Sequence, residues 1–290
     1  MSVAVTPLLE RRFTLGECPV WDEREQALYF TDITARTIHR YDWSRHDLRG
    51  WTLPEECGSF GLRAAGGAIV AQRASVHLFD FASGRLTRTL CAMPDEVARP
   101  TNRLNDGKVA PDGRFWVGSI DDRPQRQPVA ALYRVDADGT CARMRDGITG
   151  SNGLAWSPDG RVMYHADTSA REVSAYDYDV ASGGIANRRT FHTFTEVTGF
   201  PDGAAMDAEG YYWVAGVRGG RVNRLAPDGT LERYIEVPVR FPTMPCFGGP
   251  DLRTLFITSL DRGTADDPQG GTLYTLGVDV PGLPGARFAG

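Results

Sequence analysis

The chain of 290 residues has little of what marks several common protein classes. Its five cysteines (Cys18, Cys57, Cys91, Cys141 and Cys246) are odd in number and scattered, with no CxxC or zinc-finger spacing. Neither a disulfide framework nor a cysteine-held zinc is indicated, and reduced thiols in a cytoplasm are the expectation. No stretch approaches the roughly 20 apolar residues that span a bilayer. The segment from Met1 to Phe13 lacks the apolar run of a secretory signal. Positive charge is not in excess either: a formal net charge of −5 argues against nucleic acid or an anionic membrane as the main partner. A long helix is hard to place anywhere, and no G-x-S-x-G nucleophile elbow occurs. The expectation is a soluble, cytoplasmic protein.

What is present is a repeat. Short aromatic or β-branched runs recur, bounded by Gly, Pro and Asp, among them Ala27 to Asp32, Phe115 to Gly118, Val162 to Asp167, Tyr212 to Ala215 and Leu255 to Thr258. Such runs read as strands. Each is preceded by a polar stretch, as in Thr101 to Val109, and is followed by a third strand and then a more polar fourth. The unit of four strands returns about every 40–50 residues, the spacing of propeller blades. Six copies fill the chain from Glu17 to Val278. The pattern predicts an all-β six-bladed β-propeller spanning residues 1–290 as one domain, in preference to a pair of β-sandwiches. The sixth copy lacks a clear fourth strand, and the segment from Val3 to Thr14 is left over; it is expected to complete that blade and close the ring.

In a propeller the first strand of every blade lines the central channel, so equivalent positions form a ring. Counting six residues back from each turn gives Glu17, Ser59, Asn105, Asn152, Asp202 and Met244. An Asn or Asp before a Gly is ordinary turn chemistry at any one position; the shared register is what singles out the set. Four of the six are acids or amides that offer oxygen donors. Two carboxylates in a narrow channel repel unless one protonates or a cation sits between them. Oxygen donors suit hard or borderline ions such as Ca²⁺, Mg²⁺ or Mn²⁺, whereas zinc more often brings His or Cys.

Five stretches together carry a resemblance: Leu15-Gly16-Glu17-Cys18-Pro19-Val20-Trp21, Asn102-Arg103-Leu104-Asn105-Asp106-Gly107-Lys108, Ser151-Asn152-Gly153-Leu154-Ala155-Trp156-Ser157, Pro201-Asp202-Gly203 and Cys246-Phe247-Gly248-Gly249-Pro250-Asp251-Leu252. Over essentially its whole length the chain resembles the senescence-marker/gluconolactonase/luciferin-regenerating-enzyme family, which includes regucalcin and bacterial sugar lactonases. The resemblance implies one divalent cation (Ca, Zn, Mg, Mn or Fe) held by Glu17, Asn152 and Asp202, with Arg103 and Asn105 facing the substrate. Hydrolysis of a sugar lactone to its acid is the expected function, with Asp202 the ligand best placed to act also as general base, because a carboxylate can hold a metal with one oxygen and a water with the other. In regucalcin-like members an acidic pair follows the segment matching Gly118-Ser119-Ile120. Here Asp121-Asp122-Arg123 follows, so Asp122 or Arg123 takes the place of a substrate-contacting acid, or Arg123 turns away to pair with Asp121 or Asp122.

Other readings stand beside this one. The same scaffold supports metal-dependent esterases and phosphotriesterases, or calcium binding without turnover. A protein-docking propeller of the WD-repeat kind is disfavoured, because no Trp-Asp blade signature occurs. His165 and Asp167 share one strand face but have no nucleophile, so a packed, hydrogen-bonded His165 is expected. Cys18 is expected to point away from Glu17 along an extended segment. The Pro-rich run Asp121 to Pro128 reads as a loop at the channel rim or an exposed connection. The small-molecule partner is a sugar lactone; oligomeric state is not readable.

Overall fold

The computed structural model describes residues 4–290; Val3, where the leftover N-terminal segment begins, lies outside the described residues. The described chain opens on β1 (Thr6–Arg12). Blade one follows as β2 (Gly16–Asp22), β3 (Ala27–Asp32), β4 (Thr37–Asp42) and β5 (Asp47–Thr52). Blade two is β6 (Cys57–Leu62), β7 (Ala68–Gln72), β8 (Ser75–Asp80) and β9 (Arg85–Ala92). A five-residue helix, α1 (Pro94–Ala98), leads into blade three: β10 (Asn102–Val109), β11 (Phe115–Asp121), β12 (Ala130–Val135) and β13 (Cys141–Ile148). Blade four holds β14 (Ser151–Trp156), β15 (Val162–Asp167), β16 (Glu172–Asp179) and β17 (Gly184–Thr193). Blade five holds β18 (Phe200–Met206), β19 (Tyr212–Val217), β20 (Arg221–Leu225) and β21 (Leu231–Glu236). Blade six has β22 (Pro242–Gly248), β23 (Thr254–Ser259) and β24 (Thr272–Gly277), and β1 supplies its outer strand, with Thr6 opposite Thr275 and Pro7 opposite Tyr274. The architecture is a six-bladed β-propeller of four-stranded antiparallel sheets.

The turns follow from their residues. After β10, the Asp112 carboxylate accepts the Arg114 backbone N–H at 3.1 Å, and Gly113 takes φ +83°. This is the Asx turn that Pro-Asp-Gly favours. The core lies between blades. Trp116 of blade three meets Trp156 and Tyr178 of blade four edge to face at 6.5 and 5.9 Å, and is fully buried. A buried Trp removes roughly 200 Å² from water, on the order of 5 kcal/mol by area.

Two features place the site. Every inner strand slips register against its neighbour at the same level: between Glu17 and Val20, Cys57 and Ser59, Leu104 and Gly107, Asn152 and Ala155, Pro201 and Ala204, and Pro242 and Met244. Such bulges re-aim side chains, here around the channel. At the far ends of the inner strands, residues 281–290 cross the opposite face. Gly282 N–H donates to Leu252 O, Leu283 N–H to Met206 O, Phe288 N–H to Leu62 O and Ala289 N–H to Gly113 O, at 2.9–3.1 Å. The tail thus stitches together blades six, five, two and three, with Phe288 fully buried.

Candidate functional site

A cavity of about 690 Å³ opens where the inner strands begin. Glu17, Arg103, Asn105, Asn152 and Asp202 line its floor, and Asp122, Arg123, Arg126, Arg218 and Arg262 line its wall and mouth. The apolar lining includes Leu15, Ile33, Ile120, Phe200 and Phe241. In blade six Thr243 faces this cavity and Met244 instead lines a smaller apolar pocket at the other end of the channel, because the bulge between Pro242 and Met244 shifts the register by one. Ser59 lies outside the cavity, its hydroxyl buried without a partner and pressed close to Gly107.

The floor is a connected polar array. Arg103 donates from Nη1 to Asn105 Oδ1 at 2.7 Å. Asn105 Nδ2 donates to Ser151 O at 3.0 Å and to Asn152 Oδ1 at 3.2 Å. Asn152 gives its own amide N–H to Thr168 Oγ1 at 2.8 Å, and that hydroxyl donates to Pro201 O at 2.8 Å. The Thr168 contact fixes the amide, so Oδ1 is the Asn152 atom left with a free lone pair. One rule of backbone recurs here: Cys18 and Gly153, which follow Glu17 and Asn152, both adopt left-handed φ, +46° and +62°. Cys18 is therefore not extended. Its N–H folds back to Glu17 Oε2 at 3.0 Å, and its thiol turns to the Phe60 backbone at 3.3 Å.

The carboxylates are held in an unfavourable setting. Glu17 is 8% exposed. Burial raises its pKa well above the ordinary carboxylate range, and Asp202 and Asp106 push it the same way. Asp202, partly open to the cavity, is pushed up to about 8, first by burial and then by Asp106, with Arg126 and Arg103 pulling it down. Asp106 lies deeper; one oxygen accepts the Leu154 N–H at 3.1 Å, and the other has no partner. Among the described residues no three His, Cys, Asp or Glu side chains form a metal cage. The available donor set is two carboxylates and one amide oxygen. That set, mutually repulsive and short of protons to accept, fits a hard or borderline divalent cation.

Other predicted residues take defined places. Asp122 Oδ2 lies 3.1 Å from Arg103 Nε. Arg123 lines the cavity, but its guanidinium forks onto Asp121, with Nε at 2.8 Å and Nη2 at 2.8 Å. Asp121 also accepts the Gln127 N–H at 2.7 Å. His165 is a buried spacer, with Nε2 2.8 Å from Ser151 Oγ and Nδ1 3.3 Å from Arg145. Asp32 and Asp167, which end second strands, tie down the loops entering their own blades: Asp32 accepts the N–H of Thr14 and Leu15, and Asp167 those of Thr149 and Gly150. The sequence reading did not single out Arg126, Arg218, Arg262 or Thr168. They come from loops of four blades and share no motif or register with the floor residues.

Comparison with known proteins places this geometry. The chain is 44% identical to 6-deoxy-6-sulfogluconolactonase of Pseudomonas putida and 34% identical to regucalcin of Xenopus laevis, over its whole length and 99–100% of each relative. It superposes on the crystal structure of a calcium-binding protein, regucalcin, from Agrobacterium tumefaciens with a TM-score of 0.92 at 28% identity, over 99% of this chain and 97% of that one. The model of the SMP-30/Gluconolactonase/LRE-like region matches residues 15–261. With the propeller, the inner-strand register and that match in hand, the chain belongs to the SMP-30/gluconolactonase/LRE-like family.

Proposed function

We propose that this protein is a hydrolase that opens a sugar lactone, of the gluconolactone type named for its relatives, to the free sugar acid. The observation that carries the reading is the convergence in one cavity of two poorly satisfied carboxylates and a fixed amide oxygen beside an Arg–Asn pair.

Glu17, Asn152 and Asp202 would hold one divalent cation. When bound, it would supply Lewis-acid polarisation of the lactone carbonyl and make a water more acidic. Asp202, ionised in that setting, takes the proton of the attacking water with one oxygen. The water oxygen adds to the carbonyl carbon, and Arg103 donates hydrogen bonds to the oxygen on which negative charge develops. Collapse breaks the bond from that carbon to the ring oxygen. The ring oxygen leaves as an alkoxide and recovers the proton from Asp202, so no net proton is retained by the protein. Asn105, fixed by Arg103 and the Ser151 carbonyl, orients the sugar hydroxyls.

A pH-drop assay over pentonolactones and hexonolactones, after chelation and re-addition of single metals, tests this. Turnover that vanishes with chelator and returns with a divalent metal is expected. Undiminished turnover in metal-free protein would sink the cation assignment, and no turnover of any lactone with any metal would sink the hydrolase reading. A second reading is reversible calcium binding without chemistry, favoured by the same all-oxygen donor set. Stoichiometric calcium uptake in a protein inert to every lactone would select it.

A further inference from the structure

The charges around the cavity are not evenly neutralised. Arg103 is paired with Asp122, and Arg123 with Asp121. Among the described residues, no carboxylate pairs with Arg126, Arg218 or Arg262, although all three line the same cavity. Two of them are held at its wall by aromatic rings. Arg218 sits 5.0 Å from the centroid of Phe200, and Arg262 sits 5.4 Å from that of Phe241. Each ring also carries a second guanidinium, Arg171 at 4.2 Å and Arg240 at 5.7 Å. Those outer arginines have acids of their own, Glu196 and Asp266. The inward members of the two pairs are the ones without an anion. Arg126, on the loop that lines the wall, is close enough to Asp202 and Arg103 to feel both charges. In a chain of net charge −5, five arginines against three carboxylates line this one cavity.

The polarity along the cavity sets the direction of a ligand. Two of the three lining carboxylates, Glu17 and Asp202, lie at the floor, and the unpaired guanidiniums lie along the wall and mouth. An anionic group on the substrate would be drawn to those unpaired guanidiniums, while the lactone carbonyl points down towards Asp202. The cavity is also larger than one sugar ring needs, which leaves space beyond it. Arginine forks match sulfonate, phosphate and carboxylate oxygens.

Resting on the lactonase reading above for the orientation of the ring, we propose that Arg126, Arg218 and Arg262 form a subsite for an anionic group on the sugar carbon farthest from the lactone carbonyl. The substrate class is then a sugar lactone with a terminal sulfonate, phosphate or carboxylate, and these three arginines set its selection over neutral lactones.

Two measurements test it. The first is equilibrium binding of non-hydrolysable hexitols, one plain and others bearing a terminal sulfonate, phosphate or carboxylate, to the parent, Arg126→Gln and the double variant Arg218→Gln/Arg262→Gln. At least one anionic hexitol should bind about tenfold or more tightly than the plain one. The advantage should shrink in about 1 M salt and in both variants. The three anions, ranked, identify the natural headgroup. Equal binding of plain and anionic hexitols, or an anion preference untouched by either variant, overturns the subsite. The second measurement is the ratio of kcat/KM for an anionic and a neutral lactone, expected to favour the anion in the parent and to fall by about tenfold in the variants. The two ideas fail separately. Lactones turned over with a ratio near one leave the hydrolase reading standing and remove the subsite. Arginine-dependent hexitol binding in a protein inert to all lactones does the reverse.

Discussion

Arg103 and Asp122 face each other at 3.1 Å, Nε to Oδ2, joining the floor of the cavity to the loop that follows β11. The same guanidinium donates to Asn105, so one side chain is fixed from two directions. The pair is partly exposed, with Asp122 37% open, and is worth about 0–1 kcal/mol by itself. Its value lies in orientation. Asp122→Asn is expected to raise KM for a lactone about three- to fivefold with a smaller change in kcat, since a loss of ~1 kcal/mol corresponds to about fivefold. Arg103→Lys should cost more, because an ammonium cannot reach both Asn105 and Asp122 in a fork. Steady-state kinetics of the two variants check the order; an Asp122→Asn variant with parental KM would show that the pair does not position Arg103.

Asp202→Asn separates chemistry from folding. Beyond the effect of burial, Asp202 and Asp106 raise the proton affinity of Glu17, so removing the Asp202 charge relieves repulsion while the amide keeps the shape. In chelator the variant should melt no lower than the parent. It should also bind a divalent cation at least tenfold more weakly and lose about two orders of magnitude or more in kcat. Calorimetric titration with metal and melting in chelator give the readouts. A variant that melts well below the parent without metal would contradict the repulsion.

Gly153→Ala tests the bulge that presents Asn152. Gly153 has φ +62°, and an added methyl would lie 2.4 Å from the Tyr212 hydroxyl and 2.9 Å from Ala166 Cβ. That hydroxyl donates to the Gly153 carbonyl at 2.6 Å, so it cannot withdraw without leaving a buried acceptor. A destabilisation of about 2–4 kcal/mol is expected, read from the urea midpoint, together with weakened metal binding. Parental stability would show that the blade absorbs the methyl without moving Asn152.

Acid should unfold the protein partly through its buried histidines. Burial lowers the pKa of His165 to about 3, assisted by Arg145 and Arg188, and that of His39 to about 4. Both are neutral when folded and take a proton near pH 6.5 when unfolded. Their contribution is complete above pH 6.5 and is lost as pH falls towards those depressed values. For His165 this is on the order of 5 kcal/mol in full, about 3 kcal/mol of it between pH 6.5 and pH 4. Urea midpoints should fall steadily from pH 6.5 to pH 4, and His165→Asn should flatten that slope. An identical slope in the variant would assign the acid limb to other groups.

The fold was legible because a blade repeats. The aromatic second strands and the Pro-Asp-Gly turns recur at a spacing that a propeller explains, and the six sheets are there. The floor was legible for the same reason: Glu17, Asn105, Asn152 and Asp202 share one register, and they line one cavity. Blade six escaped that counting, because its bulge puts Thr243 where Met244 was expected. Cys18 was misread as extended, since a left-handed non-glycine residue leaves no mark in a sequence. Arg126 fell inside the run read as a rim loop, but its meeting with Arg218 and Arg262 was invisible for another reason. They sit on loops of blades three, five and six, and only the curvature of the ring brings them to one opening. The tail at residues 281–290 has no alternating pattern at all; its backbone hydrogen bonds go to four separate blades.

The pairing of β1 with β24 also bears on how the chain comes to be folded. Thr6 and Thr275 lie 269 residues apart, whereas every other strand pair joins neighbours within one blade. As the polypeptide leaves the ribosome, each of blades one to five can assemble soon after its last strand emerges, but β1 must wait until the 269 residues that lead to its partner have been made. During that interval β1 and the open flank of blade one are unpaired edges able to capture another chain. The exposed face of β1 is Thr6, Pro7, Glu10, Arg11 and Arg12, a polar strand with a proline and charges of both signs. Such a strand is a poor template for a foreign one, so the waiting segment carries its own protection until the ring is finished.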